Sequence, residues 1–369
     1  MRGNDKIMRA SADSVRAQIL AILGAWGMPE DLAAQTAEVM LDTDLAGVDS
    51  HGIGMLASYE GMRRAGQVRL DARPRIERDN GAVALVDGGA GLGHPAAAFA
   101  MREAIARAKR FGIGAVAVRN SHHFGAAGWY VKLAAQQGCL GLVTSGTRTM
   151  AMVPTHGAVP VLGTNPIAFA APAGAQPPVV LDMATTTAAA NKVKAKALRN
   201  KPIPAGWVMD GQGQPVTEGA AAVAQVFEKP EGGLSPVGGT PDMASHKGYG
   251  LGLMAHILGA TLSGASFSPI RVKTQRPEDP DDIGHFMLAI DPTAFRAAGA
   301  FETDMDAAIA VLRATPPSDP AQPVLVPGDP ERAEQADRGA HGIPIPAGLE
   351  QQIRGICERA GLPFILTEA

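Results

Sequence analysis

Residues 82–125 read AVALVDGGAGLGHPAAAFAMREAIARAKRFGIGAVAVRNSHHFG. An apolar run (Ala82 to Val86), a glycine-rich turn, a helical stretch from Pro95 to Phe111 and a second apolar run (Ile113 to Val118) alternate, which is the pattern of an α/β protein. Gly89, Gly91 and Gly93 stand between a strand and a helix and invite comparison with a dinucleotide-binding fingerprint. The spacing is GxGxG rather than GxGxxG, and no acidic residue closes a second strand about 20 residues on, so a Rossmann site is not expected.

The alternation continues outward. Leu140 to Thr144, Ile167 to Ala171, Val179 to Leu181 and Phe286 to Ile290 suit buried strands, and helices are expected at 125–137, 186–200 and 246–263. The result is a mixed β-sheet with flanking helices. Before residue 75 the pattern is all-helical: one helix over 11–24, a second from Pro29 to about Gly47, and a third after Asp49-Ser50 to about Gly66. Helical periodicity returns at 302–313 and 347–360, so the expected organisation is a helical domain over 1–75 joined by 300–369, and an α/β domain over 76–299. Phe227 to Ser245 and Lys273 to Asp282 read as loops.

Composition narrows the function classes. With 33 basic and 36 acidic residues the formal charge is −3, and no basic run marks a nucleic-acid surface. Nothing approaches the roughly 20 apolar residues that span a bilayer, so no membrane partner is expected. Met1 to Ala12 carries Arg2, Asp5, Lys6 and Arg9 without an apolar stretch behind them, unlike a signal peptide. Two isolated cysteines, Cys139 and Cys357, fit a reducing, cytoplasmic setting.

Four segments carry side chains suited to chemistry. Asp49-Ser50-His51-Gly52 lies at a corner between helices, where an imidazole exchanges a proton near neutral pH and the Ser50 hydroxyl can bond it. The same residues also read as a helix start, with Asp49 or Ser50 as cap and His51 a surface residue of the first turn. Asn120-Ser121-His122-His123-Phe124-Gly125 joins a strand to a helix, a place for an anionic ligand such as pyrophosphate. A zinc hydrolase built on His122, His123 and His156 is the weakest alternative, because adjacent side chains rarely converge on one ion and the remaining ligands are missing; no metal is expected. Gly163-Thr164-Asn165-Pro166 reads as a turn or a polar substrate rim, and His246-Lys247 as a cation at a helix start or a solvated lysine.

Taken together, the ordered blocks Asp44 to Gly52, Asn120 to Gly125, Leu162 to Pro166, Asp182 to Thr185, His246 to Leu251, Ile283 to Phe286 and Pro327-Gly328 resemble the type-2 malate/lactate dehydrogenase family, over nearly the whole chain. That family also includes sulfolactate, ureidoglycolate, diketogulonate and cyclic imino-acid oxidoreductases. The resemblance implies a non-Rossmann nicotinamide-binding fold, NAD or NADP as cofactor, a small-molecule substrate such as a 2-hydroxy or 2-oxo acid, and a homodimer. It makes His51 the acid/base, with Ser50 and Lys192 in its relay, and puts Thr164 near substrate. It places the cofactor against His123, Phe124, Gly125, Ala126, Ala127, Asp182, Met183, Ala184, His246, Lys247, Gly328 and Asp329. Relatives commonly carry an arginine four residues after the histidine, suited to a substrate carboxylate, and Met55 stands there. Arg148, where many relatives are uncharged, is the candidate replacement cation. Asn191 stands where a glycine is common. Two alternatives remain open: a catalytically silent nucleotide-binding homologue, and a cyclic imino-acid (C=N) reductase.

Overall fold

Small side chains bring helix and sheet together at the centre of the molecule. The computed structural model describes residues 7–369, so Arg2, Asp5 and Lys6 of the N-terminal stretch lie outside the described residues. Ala97, Met101, Ala104 and Ala108 recur at helical spacing on one face of the helix Gly93–Phe111 and are fully buried. The facing strand carries Gly114, where a side chain would strike the Ala104 carbonyl, so this glycine permits the close approach. Gly112, at φ +83°, ends the helix in the left-handed conformation that glycine adopts without strain.

In chain order the elements are β1 (Met8–Ala10), α1 (Ala12–Ala25), α2 (Glu30–Leu45), α3 (Leu56–Arg64), β2 (Arg75–Asn80), β3 (Val83–Asp87), α4 (Gly93–Phe111), β4 (Ile113–Ser121), α5 (Ala127–Gln136), β5 (Leu140–Ser145), β6 (Ile167–Ala171) and β7 (Val179–Met183). They continue with α6 (Ala190–Leu198), β8 (Val208–Met209), α7 (Gly219–Phe227), β9 (Gly233–Leu234), α8 (Ser245–His256), α9 (Ser268–Arg271), β10 (Ile283–Ile290), α10 (Ala300–Ala314), α11 (Asp329–His341), β11 (Ile343–Ile345) and α12 (Ala347–Ala360).

Seven strands form one mixed sheet in the order β2-β3-β4-β10-β5-β6-β7, in which only β3 and β4 are parallel neighbours. This is the expected mixed sheet with flanking helices, of non-Rossmann type. Strand directions put the C-terminal ends of β3, β4, β5 and β7 and the N-terminal ends of β6 and β10 on a single edge. His122 follows β4 there, Arg148 and Asn165 lie in the connection from β5 to β6, and Asp182 is the penultimate residue of β7.

A second apolar cluster unites α1, α2 and α3 with the C-terminal chain: Val15, Ile19, Leu23, Met40 and Tyr59 pack with Ile343, Ile345, Ile353 and Ile356. A third, smaller cluster holds Val193, Ile203, Val208, Ala222 and Leu234. α10 is tied to the turn after β6, where the Asp306 carboxylate accepts the backbone N–H groups of Gly174, Ala175 and Gln176.

Several expected boundaries need correction. The helix expected over 246–263 ends at His256, and a wider turn occupies Ile257–Thr261. The helix expected over 186–200 starts at Ala190, after a β-bridge at Thr186. The third helix does not begin after Ser50: a single tight turn, Ile53–Met55, precedes α3. The loop expected from Phe227 to Ser245 contains β9, which pairs with β8. β2, α7 and α11 were not expected. Every residue of β2 is exposed, and in α11 only Arg338 is buried, so neither shows the apolar periodicity by which buried elements are read.

Candidate active site

The corner that presents His51 is capped from a distance. Asp44, one residue before the end of α2, is buried, and its Oδ2 accepts the Ile53 N–H at 2.7 Å. Asp49 and Ser50 therefore do not cap the next helix, and His51 precedes the first helical turn instead of lying within it. That removes the reading of His51 as a first-turn surface residue. Ser50 Oγ lies 2.7 Å from His51 Nδ1. Burial holds the His51 imidazole below its ordinary pKa and so favours the neutral ring.

The His51 ring lies 5.1 Å, centroid to centroid, from that of His123. Tyr59 Oη is 2.8 Å from His123 Nδ1, and the Gly125 N–H points at the same nitrogen at 3.4 Å. Burial raises the Tyr59 phenol far above its ordinary range, so it keeps its proton and donates it. Nδ1 of His123 is thus an acceptor, and the neutral ring carries its proton on Nε2. His94 Nε2 lies 3.4 Å from the same phenol, on its accepting side. Burial depresses His94 to about 3 and His123 well below its ordinary value. The result is a group of neutral imidazoles beside His51.

Phe124 stacks on His285 at 4.5 Å and on Tyr130 at 5.1 Å, and the Tyr130 hydroxyl donates to the Phe124 carbonyl. His285, fully buried, reaches Ser145 Oγ through Nδ1 at 2.8 Å and Ser121 Oγ through Nε2 at 3.1 Å, which ties β10 to the ends of β5 and β4. Gly125 has φ +78°, and a side chain there would press on the His94 ring and Val39. The loop His123–Ala127 is therefore fixed on both sides.

Asp182 Oδ2 accepts the Gly128 N–H at 2.7 Å, which fastens β7 to the start of α5. Although the residue as a whole is exposed, desolvation of the carboxylate raises its pKa to about 6 against the pull of that N–H. Thr164 and the segment after Ala184 are joined by Thr185, whose N–H and Oγ both donate to the Thr164 carbonyl. Val237 N–H donates to the Thr185 carbonyl, and Gly248 N–H to the Val237 carbonyl, which docks the start of α8 on the same edge. His246 and Lys247 are exposed on that first turn. Gly328 (φ +99°) precedes α11 beside Val180, and Asp329 pairs with Arg313 and Arg332.

Three expected residues stand differently from the rest. Met55 packs against the helical cluster. Arg148 Nε donates to Asp281 at 3.1 Å, and that carboxylate also faces His122 Nδ1 at 3.5 Å. Lys192 is exposed on α6, and no contact joins it to His51 among the described residues. His156 is exposed on a separate turn at φ +65°, and no group of three or more potential metal ligands converges among the described residues.

Sequence reasoning gave no role to Tyr59, His94, His285, Asp281 or Arg338. His285 lay inside a quoted block, but a histidine in an apolar strand reads as core. Tyr59 and His94 meet His123 only in three dimensions.

A mixed sheet without a dinucleotide fingerprint, with a hydroxyl-bonded neutral histidine beside a fixed strand-to-helix loop, defines a non-Rossmann oxidoreductase class of site. The chain belongs to the malate/L-lactate dehydrogenase family, whose model matches residues 10–354. It is 34% identical to the L-sulfolactate dehydrogenase of Methanothermobacter thermautotrophicus, over 98% of this chain and 100% of that one. Among solved structures it is similar to the malate dehydrogenase of Entamoeba histolytica (TM-score 0.91, 28% identity, 97% of this chain and 99% of that chain). It is also similar to the sulfolactate dehydrogenase of Methanocaldococcus jannaschii (TM-score 0.87, 33% identity, 97% of this chain and 98% of that chain).

Proposed function

We propose that the chain is an NAD(P)-dependent dehydrogenase that interconverts a small 2-hydroxy acid and its 2-oxo acid, with His51 moving the proton. The observation that carries this reading is the Ser50–His51 pair, 2.7 Å apart, set against the fixed His123 loop. NAD or NADP supplies the hydride chemistry at its nicotinamide ring. Neutral His51 takes the hydroxyl proton in oxidation, and its protonated form returns it to the developing alkoxide in reduction. Ser50 holds Nδ1, leaving Nε2 for substrate. Lys192 is retained as a third relay member on resemblance alone.

The residues present fit the cofactor at one point in particular. Asn165 Oδ1 is a buried acceptor without a partner at the site edge, of the kind a carboxamide N–H satisfies. We assign cofactor contacts to His123, Phe124, Gly125, Ala126, Ala127, Asp182, Met183, Ala184, His246, Lys247, Gly328 and Asp329.

Thr164 and Arg148 are proposed to meet substrate, with Met55 at the pocket wall. The Arg148 terminal nitrogens have no partner among the described residues, so the guanidinium retains donors for a carboxylate. An Arg148→Ala variant with an unchanged KM for acid substrates would dispose of that assignment. The function itself is tested by absorbance at 340 nm with both reduced cofactors against 2-oxo acids, cyclic imino acids and neutral ketones. Turnover of 2-oxo acids supports the reading; cofactor binding without any turnover supports a silent homologue.

We also propose a cytoplasmic homodimer. No helix among the described residues is long and apolar enough to cross a membrane. Leu253, Met254, Ile257, Leu262, Ile270 and Val272 form an exposed apolar stretch from α8 to α9 that suits a second copy. A monomer mass by light scattering would refute the dimer. Residues 1–75 with 300–369 are proposed as the helical domain and 76–299 as the cofactor domain, with α10 of the former docked on the turn after β6 of the latter. Limited proteolysis that released β11 and α12 apart from the N-terminal helices would refute that division.

A further inference from the structure

His51 has no carboxylate within ion-pair distance among the described residues; its side chain is held by Ser50, one position away. Its placement therefore depends on the backbone of the turn 49–53, and that turn is gripped at both ends. Downstream, the buried Asp44 carboxylate accepts the Ile53 N–H and lies so close to Gly52 that a side chain there would collide with it. Upstream, Arg338 of α11 donates to the Asp49 carboxylate and, at 2.8 Å, to the backbone carbonyl of Asp44 itself. Arg338 is buried, and its Nε donates to Glu334 at 2.9 Å on the same helix.

We propose that Asp44 and Arg338 are positioning residues for the acid/base, a two-sided clamp that sets where His51 stands. The inference rests on the reading of His51 given above. One guanidinium holds both Asp49, which begins the turn, and the residue whose side chain closes it. Displacing either contact frees the turn without removing a group that touches substrate. The clamp is also tied to the cofactor end of the site. α11 begins at Asp329, and Arg338 stands nine residues on, roughly 14 Å along a helix rising 1.5 Å per residue. A strut of this length connects the Gly328-Asp329 corner to the His51 turn.

The test compares wild type, Asp49→Ala, Arg338→Gln, Asp44→Leu and Asp44→Asn, with His51→Ala as reference. Three readouts are taken: kcat and KM for a 2-oxo acid, affinity for the reduced cofactor (NADH or NADPH, whichever supports turnover) by fluorescence, and amide exchange of the 49–55 segment. Misplacing a catalytic group by about 1 Å costs on the order of 100-fold. Arg338→Gln and Asp44→Leu are expected to lose rate on that scale in kcat, with KM and reduced-cofactor affinity within about twofold and faster amide exchange at Ile53. Asp44→Asn keeps an oxygen acceptor for Ile53 and is expected to recover most of what Asp44→Leu loses. Asp49→Ala changes an exposed residue, folds on general grounds, and is expected to show a smaller loss of the same kind. Variants whose 49–55 amides exchange faster while kcat stays within about twofold of wild type overturn the clamp, as does equal loss in Asp44→Asn and Asp44→Leu. If His51→Ala also turns over normally, the failure lies with the acid/base reading itself.

Discussion

Acidification probes the histidines behind the site, and His285 offers the cleanest case. Its folded pKa is pushed down to about 3 from an ordinary 6.5 by complete burial. The folded state thus binds fewer protons than the unfolded chain between those values, and stability falls as pH drops through that window. At pH 4.5 the unfolded imidazole is almost fully protonated and the folded one almost fully neutral. Relative to pH 7, this single group withdraws about 2.5 kcal/mol, at 1.36 kcal/mol per unit of pKa difference. His285→Gln keeps a donor and an acceptor for Ser145 and Ser121 and cannot titrate. Urea unfolding of both proteins at pH 7 and pH 4.5 isolates the contribution. The variant starts less stable, having lost the stack on Phe124, but its stability is expected to fall about 2 to 3 kcal/mol less between the two pH values. Equal pH dependence in the two proteins would refute the argument that burial keeps His285 neutral.

Two further outcomes follow from the same geometry. Because burial lowers the His51 pKa, the rising limb of hydroxy-acid oxidation is expected to have its midpoint below pH 6.5, while reduction falls tenfold per pH unit above the lowered value. A pH profile of kcat/KM whose oxidative limb has its midpoint above 6.5 would contradict the burial argument. Tyr59→Phe removes the donor to His123 Nδ1 and leaves a buried acceptor unpaired, at a cost of about 1–3 kcal/mol. Denaturant unfolding reads this directly, and a change below about 0.5 kcal/mol would mean the phenol is not that donor.

The sequence exposed the sheet far better than its rim. Ile167–Ala171 and the α4–β4 unit could be read from apolar runs and a helical period because they are buried, and burial is what periodicity records. β2, whose residues RIERDN all face solvent, is held by backbone pairing to β3 that leaves no mark in composition. α11 is hidden for the same reason, yet it carries Arg338. At the site, Ser50, His51 and the His123 loop were visible as motifs. The capping of Ile53 by Asp44 was not, because a carboxylate nine residues upstream of its target matches no local capping pattern. Nor was the pairing of Arg148 with Asp281, which joins residues 133 positions apart.

In the proposed mechanism His51 moves the proton while other residues hold the cofactor. The most direct measurement is single-turnover absorbance at 340 nm for wild type and His51→Gln, each preloaded with reduced cofactor and mixed with a 2-oxo acid, with cofactor affinity measured on the same samples. The variant is expected to bind cofactor within about threefold of wild type and to lose at least about 100-fold in the rate of NAD(P)H oxidation, the scale of a general acid. Oxidation at the wild-type rate in a variant that binds cofactor normally would contradict that mechanism.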